Sequence, residues 1–369
     1  MDADAIVIGA GPAGGMAAYH LARAGTRVLV IDRAKLPREK LCSGGLTWKS
    51  AVQLAGIIDV ESITIGKSRE LWLGVHGRGT LGTYTPELRF VSRQRMDFAL
   101  VSAAADQGAD VLDGAKVQAV DPLAGSVTLA DGRKLTARVV IGADGANGVA
   151  RQAVDALPAR RGFAVEVRLP DPRGDGERPS IIDFGLRQGY LWAFPKFDGT
   201  VAIGGGTGLR SLPTITDTVR AFALRELGMA LPDRIPGHPL PHRMAKRVQY
   251  GMVLLLGDAA GLCDPMDGEG IGYALWSGRL AADTALRHLH DGQPLDTYEH
   301  LLRKEISSFM RGPRALSVFA IAVPATFFVL LHSEAMRQTI WSYLVARVPP
   351  TLAGSTSHAS TSVASSGGR

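Results

Sequence analysis

The sequence predicts a two-lobed α/β (α+β) protein: a Rossmann-like dinucleotide-binding domain, an inserted antiparallel-sheet domain for a substrate, and C-terminal helices. Three observations predict it. A complete βαβ unit opens the chain. Two later apolar strands, from Val139 and from Met252, end in glycine turns as strands returning to that unit would. Between them lies a β-rich block over residues 162–206.

In the opening unit, Ala5, Ile6, Val7 and Ile8 run into Gly9-Ala10-Gly11-Pro12-Ala13-Gly14, a small-residue helix continues to Arg23, and Thr26 to Ile31 form a strand ending at Asp32. This is the length a dinucleotide needs. Gly9 permits the tight turn, Gly11 lets a pyrophosphate approach the backbone, and Gly14 lets the helix lie close on the strand with its N–H groups toward the phosphates. Asp32 is placed to accept from a ribose hydroxyl. The motif alone does not choose between FAD and a nicotinamide nucleotide.

With 369 residues, 46% of them hydrophobic, the chain can bury a large core. Its 41 Lys and Arg against 35 Asp and Glu give a net charge of +6, which suits an anionic cofactor, a diphosphate or an anionic membrane surface. The basic residues are scattered apart from short groups such as Arg160-Arg161, read as a solvated loop, and this argues against nucleic acid. Two cysteines, Cys42 and Cys263, make a disulfide framework unlikely by number, and neither has a metal-ligand partner at the usual spacing, so no metal is expected. The amino-terminal apolar stretch is the first strand rather than a leader, so a cytoplasmic protein is expected, with peripheral attachment at the inner face of the membrane left open.

Next in order comes a loop over residues 34–46, where Cys42-Ser43-Gly44-Gly45 marks either an ordinary turn or a backbone passing close to something flat. Thr47 to Ile57 reads as helix, residues 70–92 as strands, and Arg93 to Gln107 as an amphipathic helix. Short strands span Ala109 to Leu129, Asp131-Gly132 signals a hairpin, and Val139 leads to the turn Gly142-Ala143-Asp144-Gly145. The β-rich block contains GFAVEVRL, SIIDFGL, GYLWAFPK and VAIGGG, with turns at Asp171-Pro172, Gly174-Asp175-Gly176 and Asp198-Gly199. Gly204-Gly205-Gly206-Thr207-Gly208 reads as a hairpin end rather than a phosphate loop, because Pro213 follows instead of a helix start.

Met252 to Gly257 forms a strand, Asp258-Ala259-Ala260-Gly261 a loop, and Gly270 to Leu289 a helix that rejoins the first lobe. The expected domains are therefore 1–70 with 92–160 and 245–290 for the nucleotide, 71–91 with 161–244 for the substrate, a helical apolar region 291–350, and a flexible Ser/Thr/Gly tail 351–369. Ala315 to Leu331 is apolar and broken by Pro324. A span, a helix lying on a membrane and a helix closing an apolar groove are all open, so 315–345 is a candidate membrane contact.

Four stretches in this order and spacing resemble FAD enzymes with the aromatic-ring hydroxylase fold: the first glycine motif, Val91-Ser92-Arg93 with Met96-Asp97, Gly142 to Asn147, and Gly257 to Gly261 with Pro265 and Gly268-Glu269-Gly270-Ile271. The resemblance covers nearly all of residues 1–290. It implies FAD held by Gly9, Gly11, Ala13, Gly14, Asp32 and Arg33, by the loop Cys42, Ser43, Gly44 and Gly45, by Arg93, and by the backbone of Val117 at the adenine. It further implies Asp144, Asp258 at the ribityl chain, and Gly268, Gly270 and Ile271 at the pyrimidine edge, where a helix start stabilises negative charge.

Lys40-Leu41-Cys42-Ser43-Gly44-Gly45-Leu46 and Gly189 to Lys196 are more discriminating, and resemble the geranylgeranyl reductase family, which saturates isoprenoid double bonds. That resemblance implies a substrate cavity lined by Tyr190, Trp192, Phe194 and Pro195, with Cys42, Tyr190 and Trp192 at the chemistry. Alternation along a strand places the three aromatic rings on one face. An isolated alkene needs hydride from flavin together with a proton, in a dry apolar pocket whose aromatic faces tolerate positive charge. Cys42 is a candidate proton donor or relay, and Cys263 is read as structural. Electrons would come from NADPH or a ferredoxin, and the partner would be an isoprenoid lipid. Two rivals remain: an FAD monooxygenase acting on an aromatic or lipid substrate, and a membrane-docked carrier to quinone. A flavin halogenase fits less well, because Tyr190 and Phe194 stand where Trp and Ile are expected.

Overall fold

The apolar run Ala5–Ile8 is fully buried and becomes the centre of a six-stranded sheet. Val28–Asp32 and then Asp110–Asp113 continue the sheet on one side; Val139–Gly142, Val253–Leu255 and the short Gln249–Tyr250 continue it on the other. All pairings are parallel except the last. Near-continuous Val, Ile and Leu along these strands is what burial on both faces requires. This computed structural model describes residues 1–155, 162–174, 178–186, 189–208 and 212–353. The Arg160-Arg161 pair, the Asp175-Gly176 turn and the tail beyond residue 353 lie outside the described residues.

The helix Pro12–Arg23 leaves the tip of the first strand and packs between Arg93–Asp106 and Ile271–Asp291. Small residues make that approach possible. A Cβ on Gly14 would stand 1.9 Å from the Gly9 carbonyl oxygen, and one on Gly278 would stand 2.5 Å from the Ala13 oxygen.

A second, eight-stranded sheet runs in the order Gly237–Leu240, Gly162–Pro170, Thr200–Thr207, Gly189–Pro195, Ser180–Asp183, Thr64–Val75, Arg78–Val91 and Gly45–Leu46. Its pairings are antiparallel save one, between Ser180–Asp183 and Thr64–Val75. The strand Thr64–Val75 runs through residue 70, where the sequence suggested a boundary, and Gly45–Leu46 joins this sheet from within the nucleotide lobe.

One expectation is corrected here. A helix does follow the glycine run, over Leu212–Leu227. Pro213 falls in its first turn, where a missing N–H removes no intrahelical bond, so proline there was a poor stop signal. The glycine run itself stays in a strand. Its job is space, because Cβ atoms on Gly204 and Gly206 would stand 2.5 and 3.5 Å from the Trp192 ring.

The apolar C-terminal stretch splits at Pro324 into Arg311–Ala322 and Pro324–His332. No helix among the described residues is long and apolar enough to cross a membrane. Phe327 packs inward against Met266, while Val318, Val323 and Val329 are exposed.

Candidate functional site

A cavity of about 900 Å³ opens where the first strand, the Cys42 loop and the large sheet meet. Its floor is the glycine turn. Gly9 has φ +102° and a Cβ there would stand 2.4 Å from the Ala143 oxygen, so the turn admits only glycine. Gly11 differs. Its φ of −86° suits any residue, and a Cβ would meet nothing nearer than the Arg38 guanidinium at 3.9 Å. The space beside Gly11 belongs to the cavity it lines.

Asp32 closes the turn by accepting from Ala10 N–H and Ala34 N–H, each at 2.9 Å, and from Arg38 at 3.2 Å. Arg38 also reaches Asp97 at 3.1 Å, and Arg93 grips the same carboxylate with two bonds of 2.9 Å. Burial opposes the charge on Arg93, but Asp97 and the Cys42 sulfur outweigh it and raise its pKa. The result is a fixed row of guanidinium groups, each held by a carboxylate, along the cavity wall. Opposite it, Asp144 takes the Ala150 N–H on one oxygen, while its Oδ1 is buried with no hydrogen-bond partner. Burial lifts this carboxyl to about 6.

Farther in, Asp258 is held above the usual carboxyl range by burial, against the pull of Lys40 and Arg93. Its Oδ2 lies 4.0 Å from His238 Nε2, which in turn lies 2.6 Å from Lys40 Nζ. Burial brings Lys40 down to about 8 and, with the Lys40 charge, His238 to about 4. Near neutral pH the lysine therefore donates and the imidazole accepts.

Beyond this cavity, and sharing Cys42, Ser43, Tyr190, Met266, Gly268, Gly270 and Ile271 with it, lies a second of about 160 Å³. Apolar side chains dominate its lining, with Phe184, Phe194, Phe327 and Trp341 among them. The strand Gly189–Pro195 supplies the wall. Tyr190, Trp192 and Phe194 pack on one face, and Leu191 and Ala193 on the other. Ring centroids are 5.4 Å apart for Tyr190 and Trp192, and 6.2 Å for Trp192 and Phe194. Lys196 pins the strand to the Cys42 loop by donating to the Ser43 carbonyl at 2.8 Å, with its ammonium 4.0 Å over the Phe90 ring.

Trp192 Nε1 donates to the buried Glu166 carboxyl at 2.8 Å. Burial raises Glu166 to about 7, with Lys196 opposing. Trp192→Phe leaves an acceptor buried without its donor, which costs about 1–3 kcal/mol. Urea unfolding should show that loss, and Trp192→Phe with Glu166→Leu should recover part of it. An unchanged midpoint in the single variant would show that water replaces the indole.

The loop Asp264 to Gly270 forms the seam between the cavities and ends at the N-terminus of the helix Ile271–Asp291. Gly270 is the N-cap of that helix, and the Glu269 carboxyl accepts the Gly272 N–H in its first turn. Below the loop, Lys49 and Glu269 form a buried ion pair at 2.7 Å. Cys263, just before this loop, is buried with its Sγ–H near the Gly268 oxygen at 3.3 Å and also lines the first cavity.

The first cavity brings together Gly9, Gly11, Ala13, Asp32, Arg33, Cys42, Ser43, Arg93, Val117, Asp144, Asp258, Gly268, Gly270 and Ile271, with Tyr190 and Trp192 at its inner end. Gly45 and Phe194 line only the second. Gly14, Gly44 and Pro195 line neither. Gly14 serves helix packing, and Gly44, with φ +76°, is required because a Cβ would stand 2.1 Å from the Val91 oxygen. Pro195 turns its carbonyl to Gly66. Sequence reasoning missed Arg38, Lys40 and His238. Only the run of charge over Arg38 to Lys40 within a glycine-rich loop hinted at the first two.

The lycopene cyclase protein family model matches residues 4–202. The menaquinone reductase of Mycobacterium tuberculosis is 34% identical over 321 residues, covering 76% of each chain. The geranylgeranyl diphosphate reductase of Rhodobacter capsulatus is 32% identical, covering 80% of this chain and 78% of its own. Among solved structures, the geranylgeranyl bacteriochlorophyll reductase-like protein of Thermoplasma acidophilum superposes with a TM-score of 0.78 over 96% of this chain and 98% of its own, at 20% identity.

Proposed function

This chain belongs to the geranylgeranyl reductase family of FAD-dependent oxidoreductases, and from that premise we propose that it saturates carbon–carbon double bonds of a polyprenyl chain. The observation that carries the reading is the apolar, aromatic-walled second cavity continuous with the first. The residues present fit FAD. Gly11 leaves room where a pyrophosphate would lie, Arg38 and Arg93 offer fixed cations, and Asp144 offers an unpaired buried oxygen. Arg33, Val117, Asp258 and the Gly268–Ile271 turn complete the proposed set. When bound, the reduced flavin supplies hydride.

The chain's own residues do the rest. Phe184, Phe194, Phe327 and Trp341 exclude water from the second cavity, so charge developing there is not screened. The faces of Tyr190 and Trp192 support positive character on the alkene carbon. Cys42 stands where the cavities join, its sulfur accepting from Gly44 N–H at 3.4 Å. NADPH or a ferredoxin-like carrier would restore the electrons. The exposed valines of the C-terminal helices would meet the membrane from which the lipid is drawn.

The test is anaerobic. Flavin reduced with dithionite should be reoxidised by geranylgeranyl diphosphate or by menaquinone, with a product heavier by two hydrogens per bond. Reoxidation by menaquinone without a saturated side chain would make the protein a quinone-linked carrier. Reoxidation requiring air and an aromatic compound would make it a monooxygenase. Cys42→Ala should retain flavin and slow alkene-dependent reoxidation about tenfold, by loosening Arg93 and the loop. An unchanged rate would remove Cys42 from the reacting face.

A further inference from the structure

We propose that the carboxyl of Asp267 is the acid that protonates the alkene, an assignment that rests on the reductase reading. Asp267 lies in the seam loop and lines the apolar cavity beside Tyr190, whose hydroxyl donates to its backbone carbonyl and fixes it there. Of the residues lining that cavity, only Asp267 and Glu269 carry carboxyls.

Hydrogen bonding separates the acids of this loop. Glu269 is the most fully engaged, paired with Lys49 at 2.7 Å and accepting from Ser50 at 3.2 Å and from Gly272 N–H. Asp264 accepts from Tyr273 OH at 2.9 Å and from Met266 N–H at 2.8 Å. Asp267 accepts only the Glu269 N–H, at 2.9 Å on Oδ1, and among the described residues its Oδ2 receives no donor. Three carboxyls thus share one ammonium; Asp264 and Glu269 are buried, and Asp267, half-buried where it borders the cavity, receives the fewest hydrogen bonds from the protein and so holds its proton most readily. The charged and titratable groups around it are Asp264, Glu269, Lys49, Tyr190, Tyr273 and Cys263. Burial raises Asp264 as well, but it is Asp267 that burial, and then the Asp264 charge, push well above the ordinary carboxyl range, with Lys49 opposing in both.

The other polar groups at the seam are arranged differently. The Cys42 sulfur accepts from Gly44 N–H and keeps a thiol proton, but a thiol is a far weaker acid than a carboxyl, and the Tyr190 proton is engaged with the Asp267 carbonyl. In the balanced step the π bond opens, one carbon takes hydride from the reduced flavin, and the other takes the Asp267 proton. Two C–H bonds form, the flavin is left oxidised, and Asp267 is left as carboxylate until water reprotonates it.

Asp267→Asn keeps size and the Glu269 N–H bond but has no acidic proton. It should retain flavin and its reduction by dithionite, while alkene-dependent reoxidation falls about a hundredfold or more. Asp267→Glu should recover part of the rate. Independently of turnover, infrared difference spectra at neutral pH should show a carboxylic C=O stretch in the wild type that Asp267→Asn lacks. If Asp267→Asn reoxidises at the wild-type rate, or if the two spectra are identical in that region, the acid lies elsewhere. If instead the wild type itself shows no alkene-dependent reoxidation, the reductase reading falls and this assignment with it.

Discussion

Gly11→Leu is expected to leave the protein folded and to abolish flavin retention, weakening binding by about a thousandfold, or roughly 4 kcal/mol. The backbone at Gly11 is extended, with φ −86°, and any residue adopts it. A Cβ there meets no protein atom closer than 3.9 Å, so the added side chain finds no clash in the protein and extends into the cavity. It would occupy the seat we assign to the pyrophosphate and cover N–H groups at the start of Pro12–Arg23. Gly14→Ala is the contrasting variant. Its Cβ would overlap the Gly9 carbonyl at 1.9 Å, so the strand–helix junction itself must move, and thermal unfolding should fall along with binding. The pair separates a ligand effect from a folding effect. A yellow, fully loaded Gly11→Leu protein would mean that the cofactor lies elsewhere.

That contrast also marks what the sequence could and could not disclose. The glycine motif reads clearly because the steric demands at Gly9 and Gly14 are local, set within one strand–turn–helix. The aromatic face of Gly189–Pro195 is likewise local, a consequence of alternation. Gly44 was misleading for the same reason. Its requirement comes from Val91, a strand 47 residues away, and no local pattern reports that. The helix after Pro213 was hidden because proline both stops and starts helices, and only position within the turn distinguishes the two. Arg38 gains meaning only from Asp32 and Asp97 together, and Lys40 only from His238, 198 residues on. Long-range polar pairing leaves no periodicity in the chain. The same holds for Lys49, whose partner Glu269 stands 220 residues on.

Lys49→Met should lower stability by about 3–5 kcal/mol. Lys49 sits in the helix Trp48–Leu54 with its ammonium buried, 2.7 Å from Glu269 and 4.3 Å from the Tyr273 ring centroid. Burial works against its charge, yet Glu269, Asp267 and Asp264 outweigh it and raise its pKa above 10.5. A base whose folded pKa is raised contributes stability in full below its unfolded value and loses it only as the pH climbs through the folded one. The contribution is therefore complete at pH 7. Methionine fills the stem's volume but leaves the Glu269 carboxylate buried with only Ser50 and Gly272 as donors. Lys49→Met with Glu269→Gln removes the orphaned charge, and should recover most of the loss in a double-mutant cycle read by urea unfolding. If the single and double variants unfold alike, the pair is not what holds the loop. If they differ as expected, Lys49 is the partner that holds the buried Glu269 side chain, and with it the loop that carries Asp267.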